Sequence, residues 1–243
     1  ATKVEILRQL MQGTKVIVID PEREYKRLSE SVGGTYIKLS AKSKEKINPF
    51  DLATTKRSKN DLSEHAQDLT EVVSLMVDGL SPREKAAVDK AILKVYRAAK
   101  KQMPLLEDLY KELHALGQLK LCDRLEKYIS GSLADVFNAQ TNIKLNNRLI
   151  IFDIKDLPES LRQIMMLIIS NFVSNQVKAK PEKRLLVIDE GWLLLEHEES
   201  ARFVAGLVRR ARKYYLGVSI ISQQANDFLK NDYGRAIASQ SSL

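Results

Sequence analysis

The chain has 243 residues, a net charge of +8 and a pI of about 9.4, with 44% hydrophobic and 29% charged residues, a balance that excludes a disordered polymer and leaves room for one large or two modest domains. Its single cysteine, Cys122, excludes an internal disulfide and fits a reducing compartment, and its three histidines (His65, His114, His197) lie too far apart for a zinc site. The longest apolar run, 164–173, is about half of the ~20 residues that a membrane span needs, so a soluble protein is expected.

The positive balance suits an anionic partner (nucleotide, nucleic acid or an acidic membrane surface) or serves solubility alone. Aromatic residues are only 6%, which argues against a surface that stacks nucleic-acid bases.

In chain order, "ATKVEILRQLMQG" is a helical pattern that runs directly into "KVIVID" at 15–20. Between its lysine and its aspartate that second run is apolar at every position, as parallel strands covered on both faces are. "RLIIFDI" at 148–154 and "RLLVIDE" at 184–190 repeat the grammar, and "LGVSIIS" at 216–222 shares the apolar character but leads into Gln223. Helical patterns between the runs predict βαβ units and a parallel sheet. Ligands of such sheets bind beyond the carboxyl ends of the strands, where Asp20, Asp153, Asp189 and Gln223 all fall.

From Ala53 to Asn147 the strand grammar gives way to helices. Leu62, Ala66, Leu69, Val72, Val73, Met76, Val77 and Leu80 share one helical face, with Asp61 and Glu64 at its start. "SPRE" at 81–84 predicts a helix start with Ser81 as N-cap, Pro82 in the first turn and Glu84 reaching back. A further helix opens at Pro104, and another ends at Gly131. The expected organisation is an α/β core, 1–52 and 148–243, with an all-helical subdomain at 53–147 inserted through "INPFDL" (47–52) and "TNIKLNNR" (141–148). After the second run, 161–179 is apolar nearly all round and predicts a helix buried against the sheet.

The pair Asp189-Glu190 at a strand end is a Walker B pattern. Such an aspartate can hold magnesium through its hydration shell, and the glutamate can polarise a water for attack on a γ-phosphate. The competing reading is acidic residues at the start of a helix, which need no catalysis. Gln223 at the next strand tip favours the catalytic reading, since an amide there can sense the γ-phosphate or the attacking water. Arg209, Arg210, Arg212 and Lys213 cluster in "VRRARKYY" (208–215), either as a solvated helix end, as arginines presented to a neighbouring subunit's phosphates, or as a DNA-facing patch. A phosphate loop, G-x-x-x-x-G-K-[ST], is not found, because no Gly-Lys dipeptide occurs among the 243 residues. The opening helix lies where the helix after such a loop belongs, so the loop is expected just upstream of Ala1.

Taken together, "IDPEREYKRLSESVGGTYIKLS", "INPFDL", "GSLADVFNAQTNI", "LLVIDEGWLLLEHEESARFVAGLVRRARKY" and "GVSIISQQANDFL" resemble the large ATPase of type IV secretion and conjugation systems, the VirB-class, TrbE/TraC-like ATPases. The resemblance covers nearly the whole chain. It implies a RecA-like P-loop NTPase core of the HerA–FtsK lineage with a helical insertion. It also implies ATP and Mg2+ as cofactors, a homo-oligomeric ring (a hexamer) and other secretion subunits as partners, at the cytoplasmic face of the bacterial inner membrane. By that match Asp189 and Glu190 are the Walker B residues, with Asp189 the magnesium-facing one. Gln223 is the sensor, and Arg210, Arg212 and Lys213 belong to the basic motif that follows. Asp20 is expected to face the cofactor from its own strand tip. Two other functions stay open at this point, an FtsK-like or coupling-protein DNA translocase and a non-catalytic scaffold derived from such an ATPase.

Overall fold

Strands that read apolar along their length need cover on both faces, and the fold supplies it for the three central ones. The computed structural model describes residues 1–52, 59–99, 102–229 and 231–241, with the side chains of 59–61 left aside. Its five strands are β1 (Lys15–Asp20), β2 (Thr35–Lys38), β3 (Leu149–Asp153), β4 (Arg184–Ile188) and β5 (Leu216–Ile220). They form one all-parallel sheet in the order β2-β3-β1-β4-β5. The four runs expected as neighbouring parallel strands are all present, and β4 and β5 end two residues earlier than their apolar runs suggest. The strand β2 was not anticipated. It has four residues at the sheet edge, only one of them buried, so it carries no continuous apolar run to read. It follows Gly33, whose left-handed backbone (φ 67°) ends the preceding helix.

Alternation along the strands divides the interior in two. Val16, Val18, Leu149, Ile151, Leu185 and Val187 point to one face, where they meet Ile6 and Leu10 of α1 (Thr2–Met11) and Tyr25 and Leu28 beside and within α2 (Lys26–Val32). Ile17, Ile19, Ile150, Phe152, Leu186 and Ile188 point to the other, larger core.

Between β2 and β3 the described residues carry five helices: α3 (Lys59–Met76), α4 (Pro82–Ala98), α5 (Leu106–Ala115), α6 (Leu119–Ile129) and the short α7 (Ala134–Phe137). The helix start at Ser81 is a capping box, with the Glu84 N–H donating to Ser81 Oγ at 3.3 Å and the Ser81 N–H to the Glu84 carboxylate at 2.8 Å. The helix expected from Pro104 begins at Leu106, and α6 ends two residues before Gly131. The expected start at Asp61 falls on a side chain outside the described residues. These helices do not close a core of their own. Leu69, Val73, Met76, Ile92 and Leu109 belong to the same continuous cluster as the sheet residues Ile19 and Phe152.

That cluster is completed by α8 (Glu159–Ala179), the all-round apolar segment, and by α9 (Glu198–Ala211). The chain closes with α10 (Asp232–Gln240) against α9. Among the described residues no helix is long and apolar enough to cross a membrane.

Candidate functional site

Each central strand changes from apolar to acidic at its carboxyl end, and the three aspartates meet different fates. In register, Asp20 lies opposite Asp153 on the neighbouring strand. Asp153 is fully buried; its carboxylate accepts Arg23 Nε at 2.6 Å, the Tyr36 hydroxyl at 2.6 Å and the Lys155 N–H at 3.0 Å. Asp20, expected to face a cofactor, is also fully buried. Its two oxygens accept the N–H groups of Glu24 (2.9 Å) and Tyr25 (3.0 Å), so it fixes the turn that follows β1. Arg23 in that turn adopts a left-handed backbone (φ 61°) and reaches Asp156 at 2.7 Å as well as Asp153. Burial pushes the Asp20 carboxyl up, and the backbone N–H groups oppose that shift.

Asp189 is different. It is 7% exposed and accepts the Glu190 N–H at 3.1 Å. Among the described residues no lysine or arginine pairs with Asp189 or Glu190. Burial raises the Asp189 carboxyl above its ordinary value, and the Glu190 N–H offsets that only in part. A buried carboxylate with one backbone donor and no cation is a group that a bound cation would relieve.

Glu190 has a left-handed backbone (φ 49°, ψ 40°), which costs a residue other than glycine about 1 kcal/mol or more. Neighbouring groups hold it there. Gly191 donates to the Ile221 carbonyl at 2.7 Å, and a Cβ on Gly191 would lie 2.2 Å from Ile220 Cγ2, so only glycine lets the tip of β4 lie this close to β5. The Glu190 carboxylate is then held from two sides, by Gln223 Nε2 at 3.0 Å and by Trp192 Nε1. Gln223 itself is exposed, at the open rim beyond β5. The fold therefore brings Asp189, Glu190 and Gln223 together.

It does not bring Arg210 or Arg212 to them within one chain. The strand β5 starts beside Arg184 directly after Arg212–Tyr214, so the basic cluster lies at the amino-terminal end of the strands, roughly 16 Å of strand away. Arg212 is exposed. Arg210 is turned toward α3, with Nε 3.0 Å from Glu64 and Nη2 3.6 Å from Asp68. Lys178 of α8 also holds Glu64 (2.6 Å), and Arg202 holds Glu71 (2.8 Å), so α3 is tied to the core helices through its acidic face. Asp68 is 7% exposed, and burial outweighs these cations, pushing its carboxyl up to about 6.

The sequence reading passed over Tyr25, Trp192 and Gly191. The only signal for them was adjacency: a glycine and an indole directly after an acidic pair, and a tyrosine five residues after a strand-end aspartate.

A five-stranded parallel sheet whose central strands are covered on both faces, with its acidic residues gathered at the carboxyl tips, is the α/β fold of P-loop ATPases. The chain belongs to the AAA-like domain family, which matches residues 1–241. Among solved structures it is similar to VirB4 of Thermoanaerobacter pseudethanolicus, with 27% identity and a TM-score of 0.82 over 97% of this chain and 70% of that one. This agrees with the resemblance drawn from the motifs. Two crystal forms of the bacterial conjugative coupling protein TrwBdeltaN70, one of them in complex with sulphate, share the fold at 15% identity, with TM-scores of 0.61 and 0.59. The chain spans 64% and 63% of those two chains. None of the curated proteins matches the sequence.

Proposed function

We propose that the chain is the motor core of an ATPase that powers type IV secretion or conjugation by magnesium-dependent hydrolysis of ATP. The observation that carries this reading is the Glu190 carboxylate, held on a strained backbone by Gln223 and Trp192 beside a buried Asp189 with no cationic partner among the described residues. The donor set fits magnesium, which takes oxygen ligands, retains several waters and is commonly held by one carboxylate together with substrate phosphates. Asp189 would hold the ion through its hydration shell. When bound, the ion neutralises charge on the phosphate oxygens.

Glu190 orients the attacking water and draws its proton toward the carboxylate. Gln223 keeps one Glu190 oxygen in place and turns the rest of its amide toward the γ-phosphate. Trp192 holds the other oxygen. The 243 residues include no phosphate loop, so the backbone N–H groups that wrap a triphosphate have to come from elsewhere. This chain by itself is therefore expected to bind ATP weakly and not to hydrolyse it.

In the assembled motor, a hexameric ring at the cytoplasmic face of the inner membrane, Arg210 or Arg212 would serve the site of the adjacent subunit. The distance between the basic cluster and Glu190 within one chain supports a role in trans. An arginine supplied this way is worth about 10³-fold or more in rate.

The test is made in the intact protein. Glu190→Gln keeps the shape of the side chain and removes its charge, so it is expected to bind MgATP normally and to lose turnover. Turnover at the parental rate would remove Glu190 from the chemistry. A parental protein that binds no ATP would mean a non-catalytic scaffold. Mixing Glu190→Gln with an Arg210→Ala or Arg212→Ala variant is expected to restore part of the activity in mixed rings.

A further inference from the structure

A second polar site lies away from the strand tips, where α3 and α10 both pack against α9. Glu64, Asp68 and Glu71 share one face of α3, being four and three residues apart. Together with Glu198 of α9 they are held by three cations, Lys178, Arg202 and Arg210. Between the two arginines α9 carries the small residues Ala205 and Gly206, and a cleft of about 210 Å³ opens there, lined also by Asp68, Glu71, Arg209 and Tyr233. Each of the two lining carboxylates has only one oxygen engaged. Glu71 Oε1 accepts Arg202 Nη1 at 2.8 Å, and Asp68 Oδ1 stands 3.6 Å from Arg210 Nη2. Their second oxygens, Asp68 Oδ2 and Glu71 Oε2, are buried and accept no hydrogen bond among the described residues. A buried acceptor without a donor is costly, so a donor that enters the cleft relieves two such groups at once.

We propose that this cleft is a docking site for a guanidinium group, the side chain of an arginine presented by a partner polypeptide. Charge favours a cation. The four carboxylates of the group meet only three cations, and Arg202 is already divided among Glu71, Glu198 and the Tyr233 hydroxyl (3.1 Å). Shape favours a guanidinium over an ammonium. Its planar fork of five N–H donors can reach two carboxylate oxygens on residues one helical turn apart, it is more weakly hydrated, and it lies well against an aromatic ring such as Tyr233. A metal is not the expected occupant, since among the described residues no three side chains of the ligating kind come together. Arg209 is the competitor: it is exposed, lines the cleft and pairs with no carboxylate among the described residues. An arginine seated here would tie the inserted helix α3 to α9, the helix that follows Asp189 and Glu190.

The experiment uses the intact protein and a fluorescein-labelled Gly-Gly-Arg-Gly-Gly peptide, followed by fluorescence polarisation, with citrulline in place of the arginine as a neutral control of the same shape. At pH 7.5 the arginine peptide is expected to bind about tenfold or more tightly than the citrulline peptide, the worth of charge-assisted hydrogen bonds to carboxylates. Burial pushes the Asp68 carboxyl up to about 6, so the site is ionised above that pH and loses its charge below it. At pH 5 about nine-tenths of Asp68 is protonated, and the affinity should fall about tenfold. Asp68→Asn keeps the shape, and it should bring the arginine peptide down to the level of the citrulline peptide and remove the pH dependence. Glu71→Gln should weaken binding as well, and it gives an independent reading should Asp68→Asn fold poorly. Arg209→Ala should tighten binding; weaker binding in that variant would contradict a cationic ligand. Arginine and citrulline peptides that bind alike, or an affinity that neither Asp68→Asn nor Glu71→Gln changes, would leave the cleft as ion-paired packing only and overturn the proposal. Agmatine, a free alkylguanidinium, is the competitor that tests the source: displacement of the peptide at equal concentration would overturn the polypeptide as occupant.

Discussion

Gly191→Ala is the sharpest probe of how the site is assembled, because it adds one methyl group at the point where two strand tips touch. The new Cβ would lie 2.2 Å from Ile220 Cγ2, well inside the 3.5–4.0 Å at which carbon atoms attract. Ile220 is the last residue of β5 and cannot turn away freely, since Ile188 opposes it in register and the Ile221 N–H donates to the Ile188 carbonyl at 2.9 Å. Overpacking of this kind costs about 1–3 kcal/mol. In a chain of this size that is a fall of about 2–12 °C in melting temperature. The more telling effect is local: moving the tips apart stretches the 3.0 Å contact of Gln223 with Glu190. Thermal unfolding followed by circular dichroism measures the first effect, and the ATP hydrolysis rate of the full-length protein measures the second. Ile220→Ala removes the obstructing methyl, so Gly191→Ala/Ile220→Ala is expected to be more stable than the sum of the two single changes predicts. Strict additivity, or a Gly191→Ala protein that melts at the parental temperature, would refute the close approach.

Three other outcomes follow from the charges. Folding raises the Asp68 carboxyl from 3.8 to about 6, so the folded state binds the extra proton. Stability from this residue is therefore present below pH ~4 and declines through pH ~6, on the order of 1–3 kcal/mol in all; urea unfolding between pH 4 and 7 should show that slope, and Asp68→Asn should flatten it. Arg210→Ala leaves Asp68 and Glu64 short of a cation and is expected to cost on the order of 2 kcal/mol or more, whereas Arg212→Ala, at an exposed position, should stay within about 0.5 kcal/mol by the same assay. Gln223→Glu sets a like charge 3.0 Å from Glu190 and is expected to abolish ATP turnover while leaving the melting temperature nearly unchanged, since Gln223 is exposed; turnover at the parental rate would show that the contact is idle.

The central strands β1, β3 and β4 were legible in the sequence because a strand covered on both faces has to be apolar along its length, and that leaves a mark in a single stretch of chain; β5, at the sheet edge with only Leu216 buried, was legible from its apolar composition alone. The edge strand Thr35–Lys38 was not, because a half-exposed run of four residues is fixed by its ladder with Leu149–Asp153 and not by its own composition. The Ser81–Glu84 start was legible for the same local reason. What joins the inserted helices to the sheet was not, since the cluster holding both Met76 and Phe152 unites residues far apart in the chain. At the site, the sequence by itself determined that acidic residues would stand at the carboxyl tips and that Asp189 and Glu190 would be adjacent. Only the tertiary structure decided which oxygens are already engaged. Asp20 is taken by its own turn, Asp153 by Arg23 and Tyr36, and Arg210 by α3, while Asp189 and Glu190 lie at the rim without a cation among the described residues. Strand order sets these partners, and a hydrogen bond between residues 33 positions apart, as between Glu190 and Gln223, leaves no periodicity in the chain from which it could be read.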